Sequence, residues 1–280
     1  MPSWLIPASL LLLAFAVLAW RYLVGKRRPD YLAVTEYWVY SNAQRIPPTE
    51  AIMDEAISKN PFNRPDRASI TSREGLLFSD IRLQIAIAKR EKNPHAFRPD
   101  LFDENAVPSQ EVLERLAGSS TIAKIKYASN VPLTDKRHLQ FLVHLAASVG
   151  RMLRSKLVFD TITERFWLIE ELNEALLKSN DAERPELHVR IVWKKSPEGC
   201  FAETLGLRKV GIDELRTSRQ EPDMETLVCD VLHFAALRLF SKGEGAFPIE
   251  YAAHGDTFVV TPDTKVDGRQ LVKISRKTVA

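Results

Sequence analysis

Cysteine is almost missing from this sequence. Two residues, Cys200 and Cys229, make neither a disulfide framework nor, by themselves, a four-ligand zinc site. No His-Glu-x-x-His, Cys-x-x-Cys or Gly-x-Ser-x-Gly occurs, nor any Gly-x-x-x-x-Gly-Lys-Ser/Thr to cradle a phosphate. The lack of nucleotide motifs argues against an ATPase or a Rossmann oxidoreductase, and leaves other enzymes open. There is no repeat of fixed period and no low-complexity tract. An excess of one charge is lacking too: 39 Lys and Arg face 36 Asp and Glu, too even a balance to announce nucleic acid. With 45% apolar and 27% charged residues, the composition is that of a globular chain, not a disordered or collagen-like one. At 280 residues it has room for about two domains.

The averages hide one extreme. From Trp4 to Trp20 only Pro7 and Ser9 interrupt an apolar run, which Tyr22, Leu23 and Val24 extend past Arg21. Residues 4–24 as a helix span about 31 Å, enough for a hydrocarbon core of ~30 Å. Aromatic rings at Trp4, Trp20 and Tyr22 suit the two interfaces, and Arg21 can snorkel. The competing reading is a cleaved signal peptide with Ala14-Phe15-Ala16 as its small-x-small site. Against it, Met1-Pro2-Ser3 carries no basic n-region, whereas Lys26, Arg27 and Arg28 follow the run. The sequence therefore predicts a single-pass signal anchor over 4–24 and a basic juxtamembrane linker over 25–34. Positive charge on the distal side predicts the amino terminus outside and the body in the cytoplasm. Arg21, Lys26, Arg27 and Arg28 either contact anionic headgroups of the bilayer or only set this topology. They leave residues 29–280 at a net charge of −1.

Beyond the linker the pattern is α+β. An aromatic strand at Glu36–Tyr40 precedes a helix from Thr49 that Asn60-Pro61 stops. A segment at 75–79 and an alternating strand at 81–88 follow, then a proline-bearing loop over 93–107. Pro108-Ser109-Gln110-Glu111 starts a helix ended at Gly118, and 121–127 alternates again. Strand, helix, strand, strand, helix, strand predicts a ferredoxin-like βαββαβ unit over 35–130. Residues 131–280 predict a second α+β unit. It has a long helix at 134–153 that packs on either unit, a short strand at 157–160 and a helix at 168–178. A hairpin from 188–193 and 200–204, a helix at 223–240 and weak strands at 256–260 and 271–274 complete it.

Candidate chemistry is sparse. His138 and His144, six apart on one helix, do not share a face as i,i+4 ligands do, and His144 and His233 sit among apolar neighbours. His188 shares the polar face of its predicted strand with Arg190, as on a solvated edge. No metal-ligand set and no cofactor motif is expected. The most unusual stretch runs from Phe201 to Arg216, where Gly206 and Gly211 bracket Leu-Arg-Lys-Val. The glycines permit a bend that exposes Glu203, Thr204 and Glu214; alternatively they form a simple turn, with Asp213 beginning a short helix. Glu203, Thr204, Gly206, Gly211, Glu214 and His254, which precedes Gly255-Asp256, are the functional candidates.

The run Thr204-Leu-Gly-Leu-Arg-Lys-Val-Gly-Ile-Asp-Glu-Leu215 resembles the signature of an uncharacterised bacterial family, a domain of unknown function of the 4261 type. The likeness spans about 35–240; Val210 stands where the family has an aromatic, and the anchor is an addition. It implies architecture and transfers no catalytic residue, substrate or cofactor. The resulting expectation is a membrane-anchored cytoplasmic interaction or regulatory protein with an unidentified protein partner. The alternative is a hydrolytic enzyme built from Glu203, Thr204, Glu214 and His254. Nucleic acid is not expected, since the strand at 81–88 has no aromatic and Tyr127 alone is a poor stacking platform.

Overall fold

Alternation decides the first sheet. In a computed structural model, β1 (Ala33–Ser41) turns Tyr37 and Val39 to one face and Trp38 and Tyr40 to the other. The structure describes residues 32–59, 84–98, 108–130, 133, 136–178, 184–197, 199–253, 255–266 and 268–277. The predicted anchor at 4–24, Arg21, Lys26, Arg27, Arg28 and His254 lie outside them, as does the segment at 75–79. The predicted linker at 25–34 ends earlier than expected, because β1 already begins at Ala33. Among the described residues no helix is long and apolar enough to cross a membrane.

Helix α1 (Thr49–Lys59) follows, then β2 (Gln84–Lys89), α2 (Gln110–Ala117), β3 (Thr121–Ser129) and α3 (Arg137–Met152). The Ser109 side chain accepts from the Val112 amide and so caps α2. A hairpin of β4 (Leu157–Asp160) and β5 (Arg165–Leu168) leads into α4 (Ile169–Lys178). The strands form one five-stranded sheet in the order β2-β3-β1-β4-β5, every neighbouring pair antiparallel. The predicted boundary at 130 is therefore corrected: this sheet takes β4 and β5 from beyond it. The reason is pairing at long range, since Tyr37 lies opposite Asp160. The second helix of the predicted unit is displaced as well. Ile52 of α1 and Leu142, Leu145 and Val149 of α3 share one core with Tyr37, Val39 and Ile125. Val112 and Leu116 of α2 pack instead with Tyr40, Phe97 and Ile122, on the other face.

A one-turn helix α5 (Pro185–His188) precedes β6 (Arg190–Ser196) and β7 (Gly199–Leu205). Then come a 3-10 turn at Leu207–Val210, β8 (Glu214–Thr217), α6 (Glu225–Lys242), β9 (Ile249–Ala253), β10 (Asp256–Val266) and β11 (Arg269–Arg276). This sheet is ordered β6-β7-β8-β11-β10-β9 and mixed, β8 and β11 being its parallel pair. Val231, Ala235 and Leu239 of α6 cover one face, against Trp193, Ala202, Leu215 and Val272. Each such large apolar side chain contributes roughly 2 kcal/mol on burial. The architecture is α+β with two sheets. Leu139 of α3 belongs to the second core while Leu142 and Val149 belong to the first, so this helix packs on both. Residues 32–280 consequently make one compact unit, not two separable ones.

Candidate functional site

The glycine-bracketed segment is a buried knot. Gly206 and Gly211 take φ of 118° and 78°, the left-handed region that glycine enters at little cost. Between them the 3-10 turn presents backbone N–H groups with no partner inside the turn. The Glu214 carboxylate supplies it. Oε1 accepts from the amides of Gly206 at 2.7 Å and Arg208 at 3.1 Å, and Oε2 from the Leu207 amide at 3.2 Å and the Thr204 hydroxyl at 2.8 Å. Thr204 Oγ1 accepts in turn from the Leu215 amide at 2.7 Å. Burial pushes the Glu214 carboxyl up and these four bonds pull it down, with burial the larger effect. The bend therefore does not expose Glu203, Thr204 and Glu214; all three are buried. Asp213 begins no helix either, because Glu214 opens β8 so that its carboxylate can turn back onto the bend.

One residue of the turn reaches the first sheet. Lys209 is 0% exposed, and its ammonium is bonded to the Asp160 carboxylate at the end of β4. It lies 3.4 Å from His188 Nδ1 and 5.3 Å from the centre of the Tyr37 ring. Asp160 also accepts from the amides of Ile162 and Thr163, at 3.1 and 3.3 Å. The Lys209 carbonyl lies 2.8 Å from His138 Nε2, whose ring stacks on Tyr127. Desolvation lowers the Lys209 pKa against the attraction of Asp160. His188 is thereby corrected: it belongs to a helical turn and is 0% exposed, not part of a solvated strand edge. A lysine in a glycine-rich turn reads as solvent-facing, and nothing local signals a partner 49 residues away.

Glu203 has other company. Its Oε2 is 3.4 Å from Lys194 Nζ, and its Oε1 is 3.5 Å from the Nε of both Arg216 and Arg269. Thr204, Gly206 and Glu214 thus share one network, whereas Glu203 serves a set of cations.

A concave site lies elsewhere, on the face of the first sheet turned away from α1 and α3. A groove of about 430 Å³ is lined by Trp38, Lys92, Asn93, His95, Ala96, Phe159, Thr161 and Glu164. Pockets for small ligands or side-chain anchors have volumes of this order. Trp38 and Phe159 form its apolar wall, ring centres 6.0 Å apart and edge to face. Lys124 lies 4.3 Å over the Trp38 ring, and the indole N–H donates to Glu36 at 2.6 Å. Glu164, in the turn between β4 and β5, has φ of 53°. Its Oε2 is buried and, among the described residues, accepts no hydrogen bond. The same residue borders a neighbouring hollow of about 520 Å³ that includes Glu111, Arg165, Phe166 and Arg190. The premise about aromatics changes with this: Tyr127 is buried against His138, and the aromatic face is made by Trp38, Tyr40, Phe159 and Phe166. Sequence reasoning missed the groove because 93–107 reads as a plain loop, although Trp38 and Tyr40 are in phase on β1.

Comparisons of the chain with family models, with curated proteins and with solved structures find no match. Among the described residues no group of three His, Cys, Asp or Glu is placed to hold a metal ion. Thiol chemistry is muted at Cys229, where burial pushes the pKa up to about 11.

His144, inside α3, gives a pH signature. Burial, helped by the charge of Arg151, lowers its pKa from 6.5 to about 4. Below pH 6.5 the unfolded chain takes up a proton that the folded one refuses until about pH 4. His144 therefore leaves stability intact above pH 6.5 and erodes it as pH falls towards 4. Urea midpoints measured between pH 7 and pH 4 are expected to fall more steeply with pH for the wild type than for His144→Phe. Parallel curves contradict a buried neutral His144.

Proposed function

We propose that this chain is a membrane-anchored cytoplasmic interaction protein whose partner docks in the groove between Trp38 and Phe159. The observation that carries the reading is the pairing of an apolar wall with a buried acceptor, Glu164 Oε2, that has no hydrogen-bond donor among the described residues. An unpaired buried acceptor costs ~1–3 kcal/mol. A partner that inserts an apolar or aromatic side chain flanked by an N–H or cationic donor recovers that cost and covers the indole. The apolar run at 4–24 and Arg21, Lys26, Arg27 and Arg28 support the anchor and the cytoplasmic location of the body. The commitment of Glu214 to four donors favours binding over a hydrolytic reading of that segment.

We further propose that the first sheet with α1 and α3 is a ferredoxin-like unit lengthened by β5, with α2 inserted before β3. The supporting features are the order β1-α1-β2-β3-α3-β4 and the position of β1 between β3 and β4. Membership of the 4261-type family is proposed on the Thr204–Leu215 run alone.

Trp38→Ala removes the wall, and Thr161→Trp fills the groove. Full-length protein extracted from membranes is expected to retain a discrete partner, and both variants to lose it while keeping the far-UV circular dichroism of the wild type. Retention of the same partner by both variants contradicts the reading, as does recovery of general chaperones alone. Salt-dependent binding of single-stranded RNA that the same variants abolish also contradicts it.

A further inference from the structure

The second sheet has a face that α6 does not cover. Trp193, Cys200, Ala202, Leu215 and Val272 pack towards α6. By alternation Lys194, Phe201, Glu203, Arg216, Arg269 and Lys273 project from the opposite face. Four of the six are cations, drawn from β6, β8 and β11; the carboxylates in phase with them are Glu203 and Glu214, and Glu214 is already committed to the bend at 204–208.

The cations are held from below. Glu203 is 2% exposed, while the side chains of Lys194, Arg216 and Arg269 are 25%, 30% and 36% exposed. Both arginines meet the Glu203 carboxylate through Nε, and the Arg216 guanidinium lies 3.7 Å over the Phe201 ring. Among the described residues the Nη groups of Arg216 and Arg269 have no hydrogen-bond partner. Register places Arg269 opposite Glu214 and Leu271 opposite Arg216, so the two guanidiniums belong to adjacent strands. Lys194, Arg216 and Arg269 thus converge on one buried carboxylate at a partly exposed surface.

We propose that Arg216 and Arg269, oriented by Glu203, bind a phosphate-type oxyanion on this face. Two planar donor forks on adjacent strands suit a tetrahedral oxyanion, which accepts two N–H bonds from each, and the charge-assisted bonds are the strong kind. Lys194 and Lys273 border the same surface and add field. Glu203 acts as a positioning residue and as a built-in counter-charge that keeps the unliganded cations together. The chemistry is shared by a free phosphate monoester and by the headgroup of an anionic lipid. The site is separate from the groove at Trp38, so the two proposals fail independently.

The test uses the full chain in nonionic detergent, titrated with inorganic phosphate at constant ionic strength set by sodium chloride. Thermal unfolding and phosphorus NMR line broadening are the readouts. Saturable binding is expected, with Arg216→Gln and Arg269→Gln each weakening it about tenfold or more while leaving the circular dichroism unchanged. Glu203→Gln is expected to bind phosphate several-fold tighter and to gain more thermal stability from it than the wild type does. A second arm places the full chain in phosphatidylcholine vesicles with and without phosphatidic acid. Loss of phosphate binding when phosphatidic acid is present assigns the site to a headgroup, and unchanged binding assigns it to a free phosphate. The proposal is overturned if phosphate stabilises no more than chloride does, or if both arginine variants bind it as tightly as the wild type.

Discussion

Gly206→Ala is expected to leave almost no folded protein, while Gly211→Ala stays folded. A Cβ on Gly206 lands 1.8 Å from the carbonyl oxygen of His188, a backbone atom, and 3.2 Å from Thr163 Cγ2. Its φ of 118° is also forbidding for alanine. Such a clash belongs with the rare substitutions that cost more than about 4 kcal/mol, a large part of a typical domain's 5–15 kcal/mol. At Gly211 the nearest atom to a new Cβ is Leu32 O at 3.7 Å, an ordinary contact, so only the left-handed φ of 78° is penalised. That costs about 1–2 kcal/mol. Yield of folded full-length protein and its urea midpoint separate the two. Equal behaviour of the two variants contradicts the close approach of the bend to α5.

Lys209→Met is expected to destabilise nearly as much, for an electrostatic reason. It strands the Asp160 carboxylate, 0% exposed, without its cation. Breaking one partner out of a buried pair typically costs about 3–5 kcal/mol. Replacing both partners is far milder, because no charge is then buried alone. Asp160→Asn combined with Lys209→Met is expected to recover at least half of the loss, since an amide oxygen still accepts from Ile162 and Thr163. Denaturant midpoints of the two single variants and the double variant make the cycle. Strict additivity contradicts a coupled pin between the turn at 207–210 and β4.

Much of this fold is written locally, and the rest is not. Periodicity places β1, α1, α2, β3, α3 and α6, because which residues are apolar is settled within each segment. Sheet membership is a different matter. Nothing near Leu157–Asp160 states that its partner is β1, more than a hundred residues upstream, so the first sheet reads as complete at 130 from the sequence alone. His188 reads as the first residue of a strand because Val189, Ile191 and Trp193 alternate; the single helical turn at Pro185–His188 carries too few residues to break that pattern. The run from Glu203 to Glu214 is legible as a bend from its glycines. That Glu214 turns back to cap the bend, and that Lys209 points inward to Asp160, depends on tertiary contacts. The groove escapes for the same reason. Trp38 and Phe159 become neighbours only when β1 and β4 pair.

The central claim is that partners meet the chain at the groove of the first sheet and not at the glycine-bracketed knot. A photo-crosslinking side chain placed at Thr161 or, separately, at Arg208 of the full chain expressed in cells tests it most directly. The account predicts a discrete adduct from position 161 that Trp38→Ala abolishes, and none from position 208. An adduct from 208 with none from 161 contradicts it.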